Sequence, residues 1–244
     1  MEVNTKVNLS GLILDNPVIP ASGTYGFGKE YVDFYDINIL GSISIKGTTV
    51  QRRKGNPQPR IAECYSGLIN SVGLENPGME NVIQKELKDL EKIYRKPVIA
   101  NISGFSVEEY VTLAREMDKV DNVGIIEVNI SCPNVDHGGL AFGTNADNVR
   151  ELTKKIKEVT TKPVYMKLSP NVTDIKEIAR AAEEGGADGI SLINTLMGMR
   201  IDINRRKPVI ANKKGGFSGP AIFPVALRMV YEVYEATNLP IIGI

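Results

Sequence analysis

Short, nearly unbroken apolar runs recur along this sequence, with segments of helical period between several of them, and that alternation decides what the chain can fold into. The runs are NPVIPAS (16–22), ILGSISIKG (39–47), PVIANIS (97–103), IIEVNIS (125–131), PVYMKLS (163–169), GISLIN (189–194) and PIIGI (240–244). A strand with one wet face alternates apolar and polar residues. These runs do not, as expected of parallel strands covered on both faces. Between them, Val149, Leu152, Ile156 and Val159 fall three or four apart, which predicts an amphipathic helix over 145–159. Ser106 and Glu109 stand at capping-box spacing at the head of 106–120. Ile175, Ile178, Ala179 and Ala182 share one side of 174–184. Lys96-Pro97 and Lys162-Pro163 close helix-like stretches and open strands, because the residue before proline avoids the helical region.

Alternating strand and helix units give a parallel α/β fold, either a TIM (β/α)₈ barrel or a doubly wound sheet. Polar residues sit where several different strands end: Ser22, Lys46, Asn101, Asn129, Lys167 and Asn194. Barrel enzymes distribute their chemistry in this way, whereas a doubly wound sheet gathers it at one crevice. The expectation is an α/β TIM barrel, one domain over 1–244. Seven strand-like runs are present, and PIIGI is followed by neither a helix nor an eighth run. An open seven-stranded barrel would leave two unpaired edges, so the barrel is expected to lack its last strand and to be incomplete at the C-terminus. Two segments depart from the pattern. Residues 48–62 read as a basic Pro/Gly loop, and 199–216 as two short strands around NRRK rising from the barrel top.

Composition removes several function classes. Lys+Arg and Asp+Glu are both 29 over 244 residues, which argues against a nucleic-acid protein built on bulk positive potential. The triplets Arg52-Arg53-Lys54 and Arg205-Arg206-Lys207 lack interleaved aromatics and read as solvated or interface surface. Two cysteines, Cys64 and Cys132, and one histidine, His137, are too few for a disulfide scaffold or a Cys- or His-rich metal centre, so no metal site is expected. The N-terminus carries no secretory signal pattern and no stretch reaches bilayer-spanning length, so the expected location is cytoplasmic, with no membrane association.

Candidate chemistry concentrates in EVNISCPNVDHGG, where Asn129, Ser131 and Cys132 fall at a strand end before Pro133. A cysteine there is either a buried structural thiol or a general base whose pKa is lowered from about 8.5. His137 reads as a polar loop residue without a catalytic role. Lys46 and Lys167 each end a strand, where a lysine neutralises developing anionic charge or is simply solvated. Asn70, Asn101, Asn129 and Asn194 offer a donor and an acceptor together, which suits a planar ligand with alternating N–H and C=O groups; the alternative is capping of turns. GTYGFG (23–28) runs opposite to the dinucleotide fingerprint and is not read as one. GGFSGP (215–220) precedes a predicted helix and is either a phosphate-binding start or plain turn chemistry.

With these residues in hand, the sequence resembles the dihydroorotate dehydrogenase family from residue 7 to the end. NISCPNVDHGG, IKGTT, INSVGLENPG, YMKLSPN and Asn194-Thr195 look like family motifs in family order. Cys132, with HGG after SCPN and the stretch RIDINRRKPVIANKKGGFSGPAIFPVALRMVYEV, is similar to the class 1B catalytic subunit. The resemblance implies oxidation of (S)-dihydroorotate to orotate in de novo pyrimidine synthesis, with Cys132 taking the C5 proton and hydride passing from C6 to FMN. It implies that Lys46, Asn70, Asn129, Asn194 and Thr195 hold the substrate, with Ser71, Val72, Gly73 and Leu74 as a substrate loop. Ser22, Lys46, Gly47, Asn101, Asn129, Lys167, Ile193 and Gly219 would hold FMN, and Lys167 would stabilise the anionic reduced flavin. The implied partner is an iron–sulfur flavoprotein carrying FAD and a 2Fe-2S cluster, in a heterotetramer of two catalytic and two electron-transfer subunits that passes electrons to NAD⁺. The family's Gly-rich phosphate loop follows the strand ending here at Ile244, so this stretch is expected to bind FMN poorly on its own. The alternatives are a fumarate-dependent homodimer of class 1A and a catalytically silent barrel subunit.

Overall fold

A computed structural model of the protein describes residues 3–131 and 142–244. The strands are β1 (Val7–Leu9), β2 (Leu12–Leu14), β3 (Ile61–Cys64), β4 (Gly67–Asn70), β5 (Val98–Ile102), β6 (Val123–Asn129), β7 (Val164–Lys167), β8 (Gly189–Leu192), β9 (Leu196–Met199), β10 (Ile201–Asp202), β11 (Lys207–Pro208), β12 (Lys214–Ser218) and β13 (Ile241–Gly243). The helices are α1 (Ser22–Tyr25), α2 (Met79–Asn81), α3 (Leu87–Glu91), α4 (Val107–Asp118), α5 (Ala146–Lys157), α6 (Ile175–Glu184) and α7 (Phe223–Ala236), with a π-helical turn Val82–Glu86 joining α2 to α3.

The order β5-β6-β7-β8-β13 forms a parallel sheet in which sequence neighbours are spatial neighbours. Helices α4, α5, α6 and α7 cover its outside, packing against β6, β7, β8 and β13 in turn. This is the arrangement of a (β/α) barrel. All of β5, β7 and β8 is buried, which is why these runs are apolar throughout. The helices start where expected. Ser106, Asn145 and Asp174 each accept a backbone N–H as N-caps of α4, α5 and α6.

Of the first two strand-like runs, one pairs only through isolated bridges and the other forms no strand. Residues 43–48 pair with β5 through bridges at Ser44–Ile99 and Thr48–Ile102. Ile45 N–H donates to Ile99 O at 3.0 Å and Thr48 N–H to Asn101 O at 2.9 Å. Residues 16–22 form no strand. Pro17 and Pro20 bring no N–H to a ladder, and Val18 O accepts from Gly41 N–H at 2.9 Å. An antiparallel hairpin, β1–β2, precedes them, turning at Ser10 and Gly11, both at positive φ. Its Leu9 and Leu14 pack with Ile99, Ile125 and Tyr165, closing one end of the barrel.

At the other end stands a four-stranded antiparallel sheet, β3-β4-β12-β9. The short β10–β11 pair matches the two strands expected around NRRK. The rest corrects the sequence reading: Ile61 and Ala62 belong to β3 rather than to a loop over 48–62, while β9 and β12 extend the excursion at both its ends. GGFS is strand, not turn. A side chain on Gly216 would run into Thr195, and one on Gly215 into the Asn70 carbonyl, so glycine serves close approach here.

Candidate active site

Register sets the inner rows of the barrel. Asn101 pairs with Glu127, Asn129 with Lys167, and Lys167 with Ser191, so these side chains share one face of the sheet. Above the apolar floor of Ile99, Ile125 and Tyr165 lies a buried polar layer of Ser22, Ser44, Asn101, Glu127, Lys167 and Ser191. Glu127 Oε2 accepts from Ser44 Oγ at 3.3 Å and from Asn101 Nδ2, and Lys167 Nζ lies 3.6 Å away. Lys167 Nζ also reaches Ser22 Oγ at 3.5 Å. A buried ammonium is tolerated because it is paired.

The rim above is amide-rich. Asn194 Nδ2 donates to Asn129 Oδ1 at 3.0 Å and to Ser131 Oγ at 2.9 Å. Asn129 Oδ1 also accepts from Ser131 N–H at 3.2 Å, while Tyr110 donates its hydroxyl to Asn129 O at 2.6 Å. Thr195 N–H donates to Asn194 Oδ1 at 2.7 Å, and Ile193 beside them is buried.

Lys46 lies at the end of the 43–48 segment, its Nζ 3.2 Å from Gly23 O. Burial pushes its ammonium below the ordinary lysine range; nearby Glu75 opposes the shift and Arg60 adds to it. Next to it, a Cβ on Gly47 would stand 2.8 Å from Asn101 Oδ1, 3.5 Å from Leu74 Cδ2 and 3.7 Å from Ser103 Oγ. The loop carrying Ser71, Val72, Gly73 and Leu74 is thereby brought over the barrel. It is pinned by Asn56 N–H to Val72 O at 2.9 Å and Asn76 Nδ2 to Leu74 O at 2.7 Å. Gly73 and Leu74 both take positive φ. Asn70, at the end of β4, donates to Gly216 O at 3.4 Å.

The structure therefore brings together Ser22, Lys46, Gly47, Asn101, Asn129, Lys167, Asn194, Thr195 and the 71–74 loop. Gly219 is placed differently: its neighbours are Ser66 and Gly67, at the turn joining β3 to β4. Cys132 and His137 lie outside the described residues. Two participants carry no role in the sequence reading. Glu127 is signalled only as the lone charge in IIEVNIS. Asn171, from YMKLSPN, donates to Thr195 O at 3.0 Å and accepts from Met197 N–H at 2.8 Å.

Comparison with known proteins identifies the family. A family model described as Dihydroorotate dehydrogenase matches residues 4–244. The chain is 57% identical over 238 residues to "Dihydroorotate dehydrogenase B (NAD(+)), catalytic subunit" of Bacillus cereus (strain AH187), covering 98% of this chain and 77% of that protein. A protein of the same description from Bacillus anthracis (strain CDC 684 / NRRL 3495) gives the same values, 57% identity over 98% of this chain and 77% of its own length. Among solved structures, DHODH from Eimeria tenella in complex with ferulenol superposes with a TM-score of 0.76 at 20% identity, over 99% of this chain and 73% of that one, which is a likeness of fold. On the family model and these relatives, the chain belongs to the dihydroorotate dehydrogenase family, in its class 1B branch.

Proposed function

We propose that the chain is a class 1B catalytic subunit that oxidises (S)-dihydroorotate to orotate in de novo pyrimidine (UMP) synthesis. In this reading FMN binds over the barrel and electrons leave through a partner subunit to NAD⁺. The observation that carries it is the buried layer of Asn101, Glu127 and Lys167 under the Asn129–Asn194 rim, in a chain 57% identical to class B catalytic subunits. That identity also favours the partner-linked reading over a fumarate-dependent homodimer.

The donor set fits a flavin. Its ring is flat, its edge alternates donors and acceptors, and it gains negative charge on reduction. Lys46, Lys167, Asn101, Asn129 and Ser22 supply complementary groups, and Gly47 leaves open the space a side chain would fill against Asn101. Ser103 Oγ and Ser191 Oγ are buried without a hydrogen-bond partner among the described residues, as expected of groups facing a ligand. Ser22, Lys46, Gly47, Asn101, Asn129, Lys167 and Ile193 would hold FMN, which when bound supplies the hydride acceptor; Gly219, against the β3–β4 turn, is left out of that set.

The chain's own residues do the rest. Lys46, Asn70, Asn129, Asn194 and Thr195 orient the pyrimidine ring and its carboxylate, and Ser71, Val72, Gly73 and Leu74 close over it. Ser71 Oγ, likewise buried without a partner among the described residues, lies in this loop. Cys132, assigned from its motif, takes the proton from C5 of the substrate on its Sγ. We further propose that 1–244 belongs to a single FMN-binding barrel domain that works in the cytoplasm. The partner is an iron–sulfur flavoprotein with FAD and a 2Fe-2S cluster, in a heterotetramer of two and two. Among the described residues no helix is long and apolar enough to cross a membrane.

The test is co-expression with an electron-transfer subunit of the proposed kind, followed by flavin content and dihydroorotate-dependent NAD⁺ reduction. Cys132→Ala should abolish orotate formation and leave FMN bound. A flavin-loaded complex that makes no orotate would overturn the assignment, and orotate formed with fumarate by the chain alone would move it to class 1A.

A further inference from the structure

Among the described buried residues, Glu127 and Lys167 are the two that carry charge. Lys167 has a place in the proposed flavin site, whereas nothing so far requires a carboxylate opposite it. We propose that Glu127 is a positioning residue and counter-charge for the flavin site, a reading that rests on FMN binding as proposed above. It fixes Lys167 and Asn101, and its negative charge limits how strongly the site favours an electron-rich flavin.

The geometry singles out one oxygen. Glu127 Oε2 receives Ser44 Oγ from the 43–48 segment at 3.3 Å and Asn101 Nδ2 from β5, and it faces Lys167 Nζ from β7 at 3.6 Å. Three neighbouring stretches of the barrel wall thus converge on it. Two of the three groups belong to the proposed FMN set, so this single carboxylate orients both. A carboxylate costs more to bury than an amide of the same shape. Glutamine would still offer an oxygen to Ser44 and Asn101. What glutamine lacks is the charge facing Lys167. In a site shielded from water, that charge acts strongly on anything Lys167 touches.

Glu127→Gln therefore separates charge from shape. In the FMN-loaded complex with the electron-transfer subunit, E127Q leaves Lys167 without its facing carboxylate, and the site should favour reduced flavin. The affinity for reduced relative to oxidised FMN is expected to rise at least tenfold. For a two-electron couple that is an upward shift in midpoint potential of about 30 mV. Glu127→Asp keeps the charge on a shorter stem. It should weaken both oxidation states together and leave their ratio near that of the wild type. A ratio in E127Q within twofold of wild type would overturn the proposal. If E127Q does not fold, Glu127→Met removes the same charge with similar bulk and must show the same rise. Folding only with a carboxylate at 127 would assign the residue a purely architectural role and equally overturn the proposal. Wild-type protein that holds no FMN even in complex with its electron-transfer subunit would instead sink the flavin reading itself, so the two failures are distinguishable.

Discussion

Asn194 Nδ2 donates to Asn129 Oδ1 at 3.0 Å, tying the residues beyond β8 to the tip of β6 across the end of β7. Because Ser131 N–H donates to the same Asn129 oxygen, that amide is held with its NH₂ group directed elsewhere, free to meet a ligand acceptor. Asn194 thus orients Asn129 as well as forming part of the rim itself.

Asn194→Ala should therefore lower kcat/KM for dihydroorotate by about 10- to 100-fold, or roughly 1.4–2.7 kcal/mol, a range typical of lost hydrogen bonds in a buried site. Most of the loss should fall on KM. Steady-state orotate formation measures it, and an unchanged KM would remove Asn194 from the substrate site.

Gly47→Ala places a methyl group 2.8 Å from Asn101 Oδ1, closer than carbon and oxygen tolerate. Asn101 is held by Glu127 and is not free to retreat. The expected result is a folded protein that loses flavin, with FMN affinity down at least tenfold. The ratio of flavin to protein absorbance after gel filtration reads this directly, alongside the melting temperature as a control.

Lys46 carries a pH signature. Its folded pKa is lowered, chiefly by burial, from the ordinary lysine value of 10.5. Between the lowered value and 10.5 the unfolded chain binds more protons than the folded one, so stability rises with pH in that window. Lys46→Met removes the penalty. It should be more stable than wild type at neutral pH, with an advantage that shrinks as pH climbs toward 10.5. Urea midpoints at pH 7 and pH 10 test the sign, and an advantage that grows with pH would contradict it.

Asp118 makes the opposite case. Its carboxylate, at the end of α4, accepts from Thr160 Oγ1 at 2.6 Å, Thr161 N–H at 2.8 Å and Lys162 N–H at 3.1 Å, which fixes the approach to β7. Partial burial pushes its pKa up, but these hydrogen bonds outweigh burial and hold it below 3.8. The stabilisation is present above that value and fades as pH falls through the lowered one. Asp118→Ala should cost about 1–3 kcal/mol at pH 7. Thermal melts of both proteins should converge in strong acid.

The sequence made β5 to β8 legible because strands buried on both faces tolerate little but apolar residues. It made α4 legible through the Ser106 cap, and α5 and α6 through the apolar spacing of Val149, Leu152 and Ile156 and of Ile175, Ile178 and Ala182. Even there the detail differs: Ser106 accepts from Glu109 N–H as a cap should, but the Glu109 carboxylate takes Phe105 N–H rather than that of Ser106. The antiparallel sheet was not legible. It pairs Asn70 with Gly216 across most of the chain, and its glycines read as turns until Thr195 is seen against one of them. The strand-end lysines and asparagines could be found one at a time. That Lys167 needs Glu127 could not, because a charge inside an apolar strand shows its partner only once the strands are laid side by side.

Tyr165 stands two residues before Lys167 on β7, and at the opposite mouth of the barrel its hydroxyl lies 3.0 Å from Ser10 Oγ. Ser10 in turn donates to Asp188 O at 2.6 Å, just ahead of β8. The leading hairpin is thus a stopper with a latch on it. Slack introduced at that far end would travel up one short, rigid strand to the Lys167 ammonium group, so the bottom of the barrel helps to hold the buried polar layer at its top in place.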